Sequence, residues 1–206
     1  SGDRERMNSL VLLSSRVSFL LMLFLAVPLM LMTENLLSLW LTEYPSHTAT
    51  FVRLLLCVSM VETVANPLMV GAAATGKIKR YQLTVGTCML CTIPLAYVAL
   101  ILGYEPQAVF WSLLFTTFVA QLLRMHLCRG LFGFSIRDFS LKVLLPISIV
   151  CLTCFLPLVL LRPYYIDCVG INNVLVCIAL DIWVLVCVLL FGLSNAEREF
   201  LLRKIG

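Results

Sequence analysis

The chain has 206 residues, of which 61% are hydrophobic and 13% charged, with a formal net charge of +4 and a mean hydropathy of +1.02. A soluble domain of this length cannot bury so much apolar surface, and disordered chains, disulfide-rich secreted modules and nucleic-acid-binding domains are more polar. Because lipid requires every backbone hydrogen bond to be made internally, long apolar runs predict an all-α integral membrane bundle.

Six segments of the chain are long and apolar enough to cross a bilayer, which takes about 20 residues. We expect a charged cytoplasmic loop at 1–16 before them and a cytoplasmic tail at 194–206 after them. The second and sixth segments are each interrupted by one carboxylate, Glu62 and Asp181 respectively. The expected spans, in chain order, are 17–40, 51–73, 82–103, 107–126, 142–161 and 172–193.

The basic residues indicate how these spans are oriented. Thirteen of the 15 Lys and Arg residues fall in the N-terminal loop, the loops after the second and fourth spans, and the tail. The opposite loops contain Arg162, and Arg53 lies just inside the second span. Positively charged loops stay in the cytoplasm, so we predict that both termini are cytoplasmic. The mixed stretch 129–140 is typical of an interfacial segment on that surface.

The nine cysteines are not expected to form disulfides or a metal site. The pairs Cys88/Cys91 and Cys151/Cys154 have the spacing of zinc or redox motifs, but they lie in apolar segments without a further ligand nearby. They are better interpreted as small packing residues, and Cys168 alone lies in an outer loop. No phosphate-binding loop or activated nucleophile motif is present, so we expect neither a cofactor nor enzymatic activity.

Ionisable residues within a membrane are costly and require a reason. Ser59, Glu62 and Asn66 share one face of the second span, and Pro67 directly afterwards frees a backbone carbonyl. This stripe predicts a proton- or cation-linked transport site at Glu62 and Asn66, or alternatively a polar contact between helices. Asp181 in the sixth span is a further ion-coupling candidate, or a docking contact if its helix lies at the bundle edge.

Another polar stripe leads to the cytoplasmic end of the fourth span. It contains Thr117, Gln121 and Arg124. Since the planar guanidinium binds two phosphate oxygens at once, Arg124 and Gln121 are candidates for contacting a substrate phosphate. The alternative is that Arg124 is an anchor whose charge reaches the membrane interface.

Several stretches of the chain resemble polysaccharide flippases of the multidrug/oligosaccharidyl-lipid/polysaccharide exporter superfamily. They are 1–7 leading into 14–19, 39–45, 74–82, and 93–97 followed by 103–106. The most specific is 74–82, with the sequence ATGKIKRYQ, which is similar to surface-polysaccharide exporters of the Bacteroides type. The resemblance covers roughly residues 1–140.

This resemblance implies a MATE-like transporter of twelve to fourteen helices in two bundles, with both ends in the cytoplasm. Such flippases carry an undecaprenyl-pyrophosphate-linked oligosaccharide across the bacterial inner membrane for lipopolysaccharide and other surface-polysaccharide biosynthesis. They work by alternating access, in many cases coupled to protons or sodium ions. The chain would be the C-terminal portion, so its partners would be lipid-linked oligosaccharide, membrane lipid, a coupling ion and a missing N-terminal bundle.

Two other functions stay open at this stage. A multidrug or cation antiporter of the same superfamily would have an acidic cavity, in which Glu62 and Asp181 would dominate. A non-transporting membrane scaffold would use both carboxylates only for stability or partner binding. No nucleic acid is expected as a partner, because the chain has few charged residues and long apolar runs, despite its net charge of +4.

Overall fold

The computed structural model of the protein describes residues 2–41, 43, 45–160 and 171–192. Within these ranges every regular element is a helix. Four helices are long and apolar enough to cross a membrane, which agrees with an all-α, multi-pass membrane protein. These four are Glu5–Leu31, Thr48–Ala74, Ile78–Ile101 and Ala108–Phe132.

Up to α8, the helices follow one another with short connections. We number them α1 (Gly2–Leu31), α2 (Thr33–Trp40), α3 (Thr48–Ala74), α4 (Ile78–Leu90), α5 (Thr92–Ile101), α6 (Ala108–Phe132), α7 (Ile136–Phe139), α8 (Leu145–Leu160) and α9 (Ile171–Cys187). A π-helical turn, Ser140–Leu144, leads into α8, and a second one, Val188–Gly192, follows α9. The connection between α8 and α9, with Cys168, and the expected tail at 194–206 lie outside the described residues.

The first helix differs from the expected boundaries. Residues from Gly2 onward are helical rather than a loop. Within this part of α1, Val11 and Ser15 are buried, and the Ser15 hydroxyl donates to the Val64 carbonyl of α3. The expected span 17–40 is broken at Met32, which leaves the helical conformation at φ −105° and ψ 22°. The Thr33 hydroxyl contributes to the break by donating to the carbonyls at the end of α1. Hydropathy alone could not locate this break, since apolar residues continue on both sides.

The expected third span, 82–103, corresponds to two helices that meet at Cys91. Pro94 has no backbone N–H and cannot bond the Leu90 carbonyl, which interrupts the helical ladder between α4 and α5. The Cys91 N–H donates to the carbonyls of Thr87 and Cys88, so α5 follows α4 directly across this residue. Together α4 and α5 still have the length of one membrane crossing.

The expected interfacial segment at 129–140 contains the end of α6 and all of α7, and its phenylalanines pack into the bundle. Helix α6 continues to Phe132 and ends at Gly133, whose φ of +71° favours glycine. Phe132, Phe134 and Phe139 are all buried and pack against one another. These three aromatic side chains therefore close the core at this end of the bundle, while Arg129 and Arg137 of the same segment remain exposed.

Helix α3 lies between α1 and α6 and packs most extensively against these two. Its buried face includes Val64, Leu68 and Ala72. Gly71 allows the close approach of both neighbours, because an added Cβ would lie 3.0 Å from Val11 Cγ2 and 3.3 Å from Phe132 Cζ. The Cys128 thiol of α6 also contacts the Leu68 carbonyl of α3. Three helices thus form the centre of the described structure.

Helices α8 and α9 complete the described chain. They pack against each other, and α9 also packs along α1. They coincide with the fifth and sixth expected spans, 142–161 and 172–193, up to Leu160 and Gly192. Within α9 and the turn after it, Ile178–Leu190 forms an apolar helical stretch that is shorter than the four long ones.

Candidate functional site

A groove runs between α1 and α3, and we call it the α1–α3 groove. Its volume is about 360 Å³. Four of its lining side chains carry hydroxyl or amide groups, and the others are apolar apart from a glycine. The polar ones are Ser14, Ser18, Thr63 and Asn66. The groove therefore offers both hydrogen-bond donors and acceptors between two helices of membrane-spanning length.

Asn66 is the predicted transport residue that the structure places in the α1–α3 groove. It is exposed, and it lies directly before Pro67, which also lines the groove. Because Pro67 lacks an N–H, the Thr63 carbonyl loses its usual helical partner. The polar stripe proposed from the sequence thus contributes an amide and a loosened backbone to one surface.

Glu62 has a different position from Asn66. It is half-buried on α3 and is not among the side chains that line the groove. Ser59, the third member of the stripe, donates its hydroxyl to the Leu55 carbonyl of its own helix. The stripe is therefore divided, and in this conformation the structure does not bring Glu62 and Asn66 onto the same cavity wall.

A second polar group lies between α4 and α6, and we call it the buried cluster. It consists of Tyr81 on α4 and Arg124 on α6, which lie close together, and of Gln121, three residues before Arg124 on α6. Tyr81 is 1% exposed and Gln121 is 8% exposed. The Tyr81 hydroxyl, both amide atoms of Gln121 and Arg124 Nη1 have no hydrogen-bond partner among the described residues. The Tyr81 hydroxyl is close to the Arg124 guanidinium, although the two do not reach hydrogen-bond geometry.

The open hydrogen-bonding positions of the buried cluster are energetically significant. Each buried polar group without a partner costs about 1–3 kcal/mol. A phosphate, a headgroup hydroxyl or a bound water between the helices would recover part of that cost. Thr117, the third member of the predicted stripe, donates to the Leu113 carbonyl and is satisfied within α6.

Two basic cavities adjoin the buried cluster at the start of α4. One, of about 250 Å³, is lined by Arg80, Tyr81, His126, Leu127, Gly130 and Leu131. The other is an open groove of about 540 Å³, lined by Lys77, Lys79, Arg80, Leu83 and Thr84. Sequence reasoning identified Arg124 and Gln121 but missed Tyr81 and Arg80. The available signal was their place in the ATGKIKRYQ stretch, next to a basic run.

Asp181 lies on α9, away from the helix that carries Glu62. Its side chain is half-buried, and its Oδ1 atom is buried without a hydrogen-bond partner among the described residues. Helix α9 packs against α1 and α8, and its buried face includes Leu180 and Val184. The two carboxylates therefore lie on different helices, α3 and α9.

None of the protein-family models, curated proteins and solved structures compared with the chain matches it. The α1–α3 groove, the buried cluster and the adjoining basic cavities are therefore the features from which function is argued.

Proposed function

We propose that the protein is part of a bacterial inner-membrane flippase that moves a lipid-linked oligosaccharide by alternating access. The observation that carries this proposal is the α1–α3 groove, where hydroxyl and amide side chains line a path between two long apolar helices. The resemblance of residues 74–82 to polysaccharide exporters supports the same function. The substrate would be an undecaprenyl-pyrophosphate-linked repeat unit for surface-polysaccharide biosynthesis.

The chemistry of such a substrate suits a groove of this composition. Sugar hydroxyls cannot enter hydrocarbon without compensating hydrogen bonds, because each unpaired polar group costs several kcal/mol there. Ser14, Ser18 and Asn66 would supply those bonds. The polyprenyl tail would remain in lipid, which the open side of the groove allows. Arg124 does not line this groove, so a contact with substrate pyrophosphate would require a different conformation or position.

Two prolines lie in helices that would have to bend during alternating access. Pro28 is inside α1 and Pro67 is inside α3, the two helices that form the groove. Proline removes one intrahelical hydrogen bond and is a common cause of kinks. Bending at these positions would change the width of the groove without unfolding either helix.

The topology that completes this proposal has six spans and two cytoplasmic termini, with α8 and α9 as the fifth and sixth crossings. The bias of Lys and Arg toward one side supports it. A second, N-terminal bundle would face the α1–α3 groove and close the pathway. Protons or sodium ions would drive transport, and Glu62, Asn66 and Asp181 are the candidates for coupling.

The proposal is tested by placing apolar side chains in the groove. We expect Asn66→Leu and Ser18→Leu to reduce surface polysaccharide at least several-fold in a strain that depends on this exporter, at normal abundance in the membrane. Thr87→Leu is the matched control, because Thr87 is exposed on α4 and does not line the groove. Normal polysaccharide with both groove variants would contradict the proposed function.

A multidrug or cation antiporter is the second candidate, favoured by the unpartnered Oδ1 of Asp181 and the half-buried Glu62. A cationic substrate would bind to such carboxylates. We would then expect Asp181→Asn and Glu62→Gln to abolish efflux of a cationic dye while polysaccharide export is absent in the parent protein. A membrane scaffold would show neither activity, and both variants would change only stability or partner binding.

A further inference from the structure

We propose that the basic start of α4, together with α6, binds the phosphate of an anionic phospholipid. The site comprises the open groove at Lys77, Lys79 and Arg80 and the adjoining cavity at Tyr81 and His126. Arg80 lines both spaces, so they lie side by side. This lipid would remain bound at the outside of the bundle, separate from the α1–α3 groove.

The first argument is uncompensated positive charge. The first turn of α4 contains no acidic residue, and no side chain caps its N-terminus. Lys77, Lys79 and Arg80 form no ion pair with any residue that the structure describes. The N-terminus of a helix is itself positive, so three cations there are unfavourable without an anion. A phosphate would offset this repulsion and accept hydrogen bonds from the free backbone N–H groups.

The second argument comes from a buried side chain. Tyr81 lines the 250 Å³ cavity together with Arg80 and His126, yet it is 1% exposed. Its hydroxyl has no hydrogen-bond partner among the described residues, and the Arg124 guanidinium lies beside it. The wall of the cavity therefore contains a donor and a nearby positive charge that the described part of the chain does not satisfy.

The third argument selects a membrane lipid over a soluble anion. Only 11% of the residues in the apolar stretch of Ile78–Ile101 are buried, against 39% of the residues in the corresponding stretch of Thr48–Ala74. Below the basic residues, Leu83, Leu90 and Ile93 are between 61% and 69% exposed. The helix thus presents a cationic end followed by a bare apolar side, which matches a phosphate followed by acyl chains. Basic pockets between transmembrane helices bind anionic headgroups in this way.

The test measures lipid binding and does not depend on transport. The purified protein in zwitterionic detergent is titrated with phosphatidylglycerol or phosphatidylcholine of identical acyl chains, and bound lipid is counted by native mass spectrometry. We expect phosphatidylglycerol to bind preferentially. The double variant Lys79→Gln/Arg80→Gln should weaken its binding about tenfold or more, since each basic side chain at a membrane surface contributes several-fold. Both side chains are exposed, so folding should be unaffected.

The matched control is Arg137→Gln, because Arg137 is exposed on α7 and lines neither cavity. We expect its binding of phosphatidylglycerol to equal that of the parent protein. Equal binding of the two lipids, unchanged binding by the double variant, or an equal loss in Arg137→Gln would each overturn the proposal. Displacement of phosphatidylglycerol by excess inorganic phosphate would also overturn it, in favour of a soluble-anion site. Loss of export with lipid binding intact would concern only the proposed flippase function.

Discussion

Arg53 and Glu34 form an ion pair that connects α3 to the start of α2. Arg53 Nη2 donates to Glu34 Oε1 at 3.1 Å, and Arg53 Nε donates to the Met30 carbonyl at 3.0 Å. Met30 is in the last turn of α1, where carbonyls lack helical partners and a cation is favourable. The Arg53 guanidinium thus connects the end of α1 and the start of α2 across the break at Met32. These contacts explain why a charged side chain is present in an apolar helix.

We expect Glu34→Gln to lower stability by less than about 1 kcal/mol, since both partners of the pair remain partly exposed. Arg53→Leu should cost about 1–2 kcal/mol, because it also removes the hydrogen bond to the end of α1. Thermal unfolding in detergent measures both, with Glu43→Gln as an exposed control. If Glu34→Gln lowers stability by the same amount in the Arg53→Leu background as in the parent protein, the two side chains are not coupled.

Two glycines in long helices should respond oppositely to leucine. Gly71→Leu should destabilise the protein by about 1–3 kcal/mol or more, because Val11 and Phe132 already lie at contact distance from the new Cβ. Gly86→Leu should be neutral or stabilising, since nothing lies within 4 Å of its Cβ position and glycine is a poor helix former. Unfolding temperatures of the two variants provide the comparison, and equal losses would contradict the packing of α3 between α1 and α6.

Helices α5 and α6 are linked by a pair of threonine hydroxyls. Thr92 Oγ1 and Thr116 Oγ1 are 2.6 Å apart, and Thr116 is also close to the Ser112 carbonyl of its own helix. Interhelical bonds of this kind in membranes contribute about 0.6 kcal/mol, so we expect that coupling energy from a cycle of Thr92→Val and Thr116→Val. Thr153→Val is the control, because the Thr153 hydroxyl bonds only carbonyls of its own helix. Strictly additive losses of stability in the two variants would contradict a hydrogen bond between these hydroxyls.

Glu62 provides a direct test of ion coupling. If it carries a proton or sodium ion during transport, Glu62→Gln should abolish export while protein abundance in the membrane stays near normal. The amide has the same shape as the carboxyl group but cannot take a charge. Gln82→Glu, at an exposed position of α4, controls for a general effect of exchanging these two side chains. Unchanged export would remove Glu62 from the mechanism and leave it as a packing residue.

Substitution of Arg124 distinguishes a contact with phosphate from an anchor at the membrane interface. If its guanidinium contacts a pyrophosphate, Arg124→Lys should reduce export several-fold, because lysine cannot provide the bidentate geometry. Arg129→Lys, five residues later on α6 at an exposed position, should have no effect. Normal export by Arg124→Lys would favour an anchor whose positive charge alone is required.

The membrane-spanning character of the chain was determined by the sequence itself. The expected spans 51–73, 82–103 and 107–126 lie within a few residues of α3, the α4–α5 pair and α6. Hydropathy succeeds here because insertion into lipid depends on the composition of each segment by itself. The same local information places Asn66 directly before Pro67 within α3.

Other features were decided only by tertiary structure. The burial of Val11 and Ser15 depends on the packing of α1 against α3, and the break at Met32 is stabilised from α3 by Arg53. The proximity of Tyr81 to Arg124 depends on how α4 and α6 rotate against each other. These contacts join residues far apart in the chain, and neither hydropathy nor helical periodicity contains the relative rotation of two helices.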